Sequence, residues 1–106
     1  MPKGNIILIP FPFTDLSGNK LRPALVLSEN NLDVTVSFIT TQLQWKEPED
    51  ILLNPSAHNG IKKPSIVRLS KIATIDRNLA IGVIGSISST QIVELDQKLK
   101  LIFQLT

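Results

Sequence analysis

The aliphatic residues of this chain fall into short runs divided by turn-forming residues, and only the last run has helical spacing. Ile6-Ile7-Leu8-Ile9 is stopped by Pro10 and Pro12, and its length and β-branching predict a strand over 5–10. Pro12 has no backbone donor and restrains Phe11, so Phe11-Pro12-Phe13 is not regular helix. Asp15-Leu16-Ser17-Gly18-Asn19-Lys20 is turn chemistry. The nearly all-apolar Pro23-Ala24-Leu25-Val26-Leu27-Ser28 predicts a central strand with Pro23 at its first position, and Glu29-Asn30-Asn31 turns the chain. Over 33–40, Val34, Val36 and Phe38 share one face, and Thr35 and Ser37 the other. Ile39 breaks the alternation. Strict parity puts Thr40 on the Phe38 side, and a bulge would reverse it.

Residues 44–64 are the least regular, with Trp45, three prolines, the acidic group Glu47, Glu49 and Asp50, and one short strand at Ile51-Leu52-Leu53. Strand material follows at 65–69 and 72–75, on either side of Ser70-Lys71. A further strand at 80–87 carries Gly82 and Gly85, which imply a bend or the close approach of another backbone. The period then changes. Ile92, Leu95, Leu99 and Ile102 recur at three and four residues, and Ser88 with Gln91 has capping-box spacing, predicting an amphipathic helix over about 89–105. Short strands followed by one helix predict a mainly β fold: a small antiparallel sheet curled into a partly open barrel, with the helix packed on it. Its size predicts one domain over 1–106.

Composition narrows the function classes. Ile, Leu and Val make 35 of 106 residues and only 19% are charged, which excludes whole-chain disorder. The absence of Cys excludes a disulfide scaffold and a thiolate metal site. A single His excludes a multi-histidine zinc site and disfavours a two-histidine acid/base mechanism. No cofactor is expected. No apolar run approaches the ~20 residues of a membrane span or has the form of a signal peptide, so a soluble, cytoplasmic domain is expected. The net charge of +2 hides an asymmetry: residues 1–53 carry −2 and residues 54–106 carry +4. A local basic field attracts polyanions, although such a face more often serves only solubility.

No GxGxxG, Walker, HExxH or GxSxG pattern occurs. Three stretches place polar groups at the ends of apolar strands. In Lys20-Leu21-Arg22-Pro23 the proline favours extended backbone at Arg22, whose planar donor fork suits a phosphate; the plainer reading is a surface arginine. Thr40-Thr41-Gln42 gathers two hydroxyls and an amide, where β-propensity accounts for the threonines but less well for Gln42. In Arg68-Leu69-Ser70-Lys71, Arg68 alternates away from Val67 and Leu69, to line a groove or to meet solvent. His58 sits in a polar loop that suits a surface histidine. Trp45 beside Lys46 suits base stacking and, about equally, a hydrophobic loop anchor or part of a partner-binding face.

Taken together, PFPFTDLSGNKLRPALVLS at 10–28, FITTQ at 38–42, KPSIVRLSKIATID at 63–76 and the terminal helix after Gly-Ser-Ile-Ser-Ser resemble the PemK/MazF family of bacterial toxin endoribonucleases. The resemblance spans nearly the whole chain and is weakest at 43–62. It implies an SH3-like barrel with a C-terminal helix, a homodimer, metal-independent and sequence-specific cleavage of single-stranded mRNA, and neutralisation by a cognate antitoxin protein. By position it implies Arg22 and Thr40 as the catalytic pair. Gln42 falls on a polar neighbour of that threonine, and Arg68 on an arginine that the PemK-like branch uses as an acid or phosphate contact. Lys20, Ser70 and Lys71 complete the expected substrate-binding set. Ser70 stands where the PemK-like branch carries an Asp base, and 17–21 lacks the glutamate common in that loop. An Arg22/Thr40 site then rests on positioning and electrostatics. The alternative is a non-catalytic dimer of the same fold that binds protein or nucleic acid.

Overall fold

Each face of the sheet carries a buried apolar cluster, which explains strands that are more apolar than simple alternation allows. The computed structural model describes residues 1–11 and 20–105; the turn expected at 15–20 lies almost wholly outside them. The strands are β1 (Asn5–Phe11), β2 (Lys20–Glu29), β3 (Asp33–Thr40), β4 (Ile51–Leu53), β5 (Ser65–Asp76) and β6 (Gly82–Ser86), followed by helix α1 (Ser89–Ile102). Every pairing is antiparallel, in the order β4-β5-β3-β2-β1-β6, with β4 and β6 as edges. This is the expected mainly β, partly open barrel with a terminal helix.

On one face Ile6, Leu25, Ile39, Val67, Leu69, Ile51 and Leu53 meet Leu95 of α1, with Ile92, Leu99 and Ile102 packed beside them. On the other, Ile7, Ile9, Ala24, Val26, Val34, Val36 and Ile75 form a second cluster, flanked by Phe38. Ile39 therefore does not break the β3 pattern; it serves the helix-covered face. Thr40 stays on the Phe38 side, as strict parity requires.

Two departures from the expected strands shape the functional end. First, β2 begins three residues before Pro23, so Arg22 lies inside a strand, paired with Ile9. The β2–β1 ladder runs through Pro23, but the β2–β3 ladder stops at Ala24–Phe38, beside a proline that cannot donate a hydrogen bond. Beyond that point β2 and β3 are no longer paired. Second, β5 is one continuous strand rather than two. Ser37 pairs with Ile72 but Phe38 pairs with Arg68, leaving Leu69-Ser70-Lys71 as a bulge on β5.

The helix starts as expected. Ser88 Oγ accepts from the Gln91 amide at 3.1 Å, and Gln91 Oε1 accepts from the Ser88 amide at 2.9 Å. It ends at Ile102 rather than 105. Gln104 takes φ 57° in the left-handed region, while Leu105 and Gln104 amides close back onto the Lys100 and Leu101 carbonyls. This is a Schellman stop built without the usual glycine. Gly85 in β6 meets the second of its two expectations: a Cβ there would sit 2.4 Å from the His58 oxygen.

A cationic candidate nucleic-acid site

The unpaired ends of β2 and β3, together with the β5 bulge, frame a cavity of about 400 Å3. Its wall includes Arg22, Thr40, Gln42, Arg68 and Lys71, and its apolar floor includes Ile9, Pro23, Phe38 and Ile39. Register explains the grouping. Arg22 pairs with Ile9, Ala24 with Phe38, and Phe38 with Arg68, so these residues share one face. Two steps on from Ala24 and Phe38, Arg22 and Thr40 occupy corresponding positions on neighbouring strands. Five of the seven expected site residues thus line one cavity. Lys20, exposed two residues before Arg22, and Ser70, exposed within the bulge, do not.

Thr40 is half-buried, and its Oγ1 accepts from the Gln42 amide at 3.1 Å. That bond occupies an acceptor site and leaves the hydroxyl hydrogen free to be donated into the cavity. Gln42 Oε1 in turn accepts from Gln44 Nε2 at 2.8 Å. Arg22 is exposed, and among the described residues no carboxylate pairs with it. Its guanidinium is available to an incoming anion.

Arg68 is held differently. Its Nε lies 3.1 Å from Asp50 Oδ2, an ion pair whose N–H is not aligned well enough to count as a hydrogen bond. Its guanidinium carbon stands 6.0 Å from the Trp45 ring centre. Trp45 also lines the cavity and is 52% exposed, so it is not a buried loop anchor. Asp50 was legible only as one of three nearby acids. It stands immediately before the Ile51-Leu52-Leu53 strand, a position that does not by itself announce burial.

The fold thereby brings Arg22, from the acidic half of the sequence, to Arg68 and Lys71 of the basic half. Three cations face the cavity, and among the described residues the one carboxylate in contact with them is buried behind Arg68. A phosphate-sized anion with an apolar or aromatic neighbour fits this arrangement. His58 is exposed in the 54–61 loop and is not part of the cavity wall. No helix among the described residues is long and apolar enough to cross a membrane.

Comparison with known proteins agrees with the fold. The Mycobacterium tuberculosis toxin MazF-mt6 superposes with a TM-score of 0.77 at 24% identity, covering 94% of this chain and 96% of that one. An endoribonuclease in complex with its cognate antitoxin, from Mycobacterial species, gives 0.76 at 20% identity over 100% of this chain and 98% of that one. A second Mycobacterial endoribonuclease gives 0.70 at 16% identity over 97% and 91%. No curated protein matches. A family model described as the PemK-like, MazF-like toxin of type II toxin-antitoxin systems matches residues 2–103, nearly the whole of a chain whose cavity gathers the arginines and threonine singled out above, and the chain belongs to that family.

Proposed function

We propose that this protein is a metal-independent, sequence-specific endoribonuclease toxin that cleaves single-stranded mRNA at the Arg22–Thr40 cavity. The observation that carries this reading is the convergence of Arg22, Thr40, Gln42, Arg68 and Lys71 on one cavity of a toxin-family fold. Arg22 and Thr40 are the catalytic pair. Gln42, Arg68 and Lys71 contact substrate, while Lys20 and Ser70 act at the periphery of the site.

The RNA 2′-oxygen attacks its own phosphorus, the bond to the 5′-oxygen of the next nucleotide breaks, and a 2′,3′-cyclic phosphate and a 5′-hydroxyl result. The 2′-hydroxyl proton passes to solvent and the leaving oxygen takes one up. Arg22 binds the phosphate and stabilises the charge that grows on its oxygens. Thr40, fixed by the Gln42 amide, donates its hydroxyl to a phosphate oxygen and aligns the reacting phosphate. Only RNA supplies the nucleophile. An oligoribonucleotide should be cut in EDTA to a cyclic-phosphate end, while the same oligonucleotide with deoxyribose throughout stays intact. Cutting of the all-deoxy strand would overturn the mechanism.

The protein acts as a single domain in the cytoplasm, as a homodimer, and a cognate antitoxin neutralises it. Exposed Ile81, Val83, Leu101 and Phe103 supply apolar surface for such contacts. The second reading is a binding module of the same fold. It is favoured by one observation: among the described residues, neither a carboxylate nor an imidazole lines the cavity to act as a base. RNA binding without cleavage in the same EDTA assay would select it.

A further inference from the structure

Asp50 is fully buried, and nothing in the proposed chemistry uses it. A carboxylate removed from water in this way requires compensating partners. Asp50 Oδ1 accepts from the Leu69 amide at 3.1 Å, Oδ2 accepts from the Glu47 amide at 2.9 Å, and Oδ2 faces Arg68 Nε at 3.1 Å. Its backbone oxygen receives Lys98 Nζ of α1 at 2.9 Å.

These contacts share one geometry. Leu69 opens the β5 bulge and has no ladder partner on β3, so its buried N–H needs an acceptor from elsewhere. Asp50 supplies it. The same carboxylate closes the 47–50 turn, in which the Asp50 amide also donates to the Glu47 carbonyl at 2.9 Å. That turn follows the short helical turn Leu43–Trp45. One buried side chain therefore joins the bulge, the Trp45 segment and the Arg68 guanidinium. The Nε side of Arg68 is engaged away from the cavity that the residue lines, beside the Trp45 ring.

We propose that Asp50 is a positioning residue that fixes Arg68 against Trp45, so that the guanidinium and the indole together present a rigid subsite for the nucleotide next to the scissile phosphate. The proposal rests on the RNA reading above. Asp50 touches no substrate and acts through Arg68. Asp50→Asn keeps the shape of the side chain and removes its charge, and it also replaces one of the two oxygens that accept from the Leu69 and Glu47 amides.

The test is a double-mutant cycle of Asp50→Asn and Arg68→Gln, on cleavage in EDTA and on the fluorescence of Trp45, the one tryptophan of the chain. All variants are first checked for fold by circular dichroism. Asp50→Asn alone should lower kcat/KM at least tenfold, chiefly through kcat, and shift the Trp45 emission. In the Arg68→Gln background the same substitution should change each quantity by a factor at least threefold smaller, the remainder being the lost backbone acceptor. Equal factors in both backgrounds would overturn the proposal, because Asp50 would then act on the fold and not through Arg68. A second measurement needs neither variants nor activity. In the wild-type protein, the Arg68 Nε–H should give a resolved, slowly exchanging nuclear magnetic resonance signal, and exchange as fast as that of Arg22 would overturn the pairing. If the wild type cleaves no RNA, the fluorescence cycle and this signal still decide the role of Asp50 independently.

Discussion

Replacing Arg68 with alanine should destabilise the fold as well as impair the site, because the Asp50–Arg68 pair is a buried one. Asp50 is fully buried and the Arg68 side chain is 16% exposed, with 3.1 Å between the charged atoms. At that distance and an effective dielectric of about 20, the Coulomb attraction is about 5 kcal/mol. Much of this is offset in the intact pair by desolvation, but truncating one partner leaves the other buried and unpaired, which costs about 3–5 kcal/mol. The Leu69 and Glu47 amides still solvate the carboxylate and reduce the loss, while the lost Trp45 contact adds about 0.5–1 kcal/mol. A net loss of about 3 kcal/mol is expected, a large share of the ~5–15 kcal/mol typical of a small domain. In a thermal melt at fixed protein concentration it should lower Tm by about 10–20 °C. Lys3→Ala is the control. It breaks an exposed pair with Asp96, for which under about 1 kcal/mol is expected. If Arg68→Ala shifts Tm by no more than Lys3→Ala does, the pair is solvent-screened and the buried-anchor reasoning fails.

Gly60→Ala should cost more than about 2 kcal/mol in urea denaturation, because Gly60 has φ +69° and an added Cβ would lie 2.2 Å from the Ile84 carbonyl oxygen; a loss under 0.5 kcal/mol would show that the 54–61 loop does not pack on β6 as described. Lys71→Ala should leave stability within about 0.5 kcal/mol, since Lys71 is exposed. It should also flatten the dependence of log K for single-stranded RNA on log[salt] by about 0.7, one phosphate's share, and an unchanged slope would place Lys71 off the RNA path.

The elements that close on neighbours a few residues away were legible in the sequence. The bounds of β3 and β4 and the Ser88–Gln91 cap follow from alternation, β-branching and hydroxyl placement. The rest depends on partners far along the chain. Ile39 looks like a fault in β3 until α1 is seen to cover that face. Ser70-Lys71 looks like a break between two strands until the register with β3 shows a bulge within one. The helix stop at Gln104 has no glycine to announce it. At the site, Arg22, Thr40 and Arg68 were legible as polar residues at the edges of apolar strands, and the register of β1, β2, β3 and β5 explains why they meet. Asp50 was not, because its partners Arg68 and Leu69 belong to a strand that lies beside it only after folding.

The central claim is that Arg22 stabilises a reacting RNA phosphate without a metal. The direct measurement is the cleavage rate of a mixed-sequence single-stranded RNA in EDTA by the wild type and by Arg22→Ala, each shown to be folded by circular dichroism. Arg22 is exposed, so its loss should leave the melting curve almost unchanged. The wild type should yield 2′,3′-cyclic phosphate ends, and Arg22→Ala should be at least about 100-fold slower, the scale of removing one preorganised donor to a developing anion. Equal rates for the two proteins would contradict the site assignment, and a folded wild type that leaves every RNA intact would contradict the activity itself.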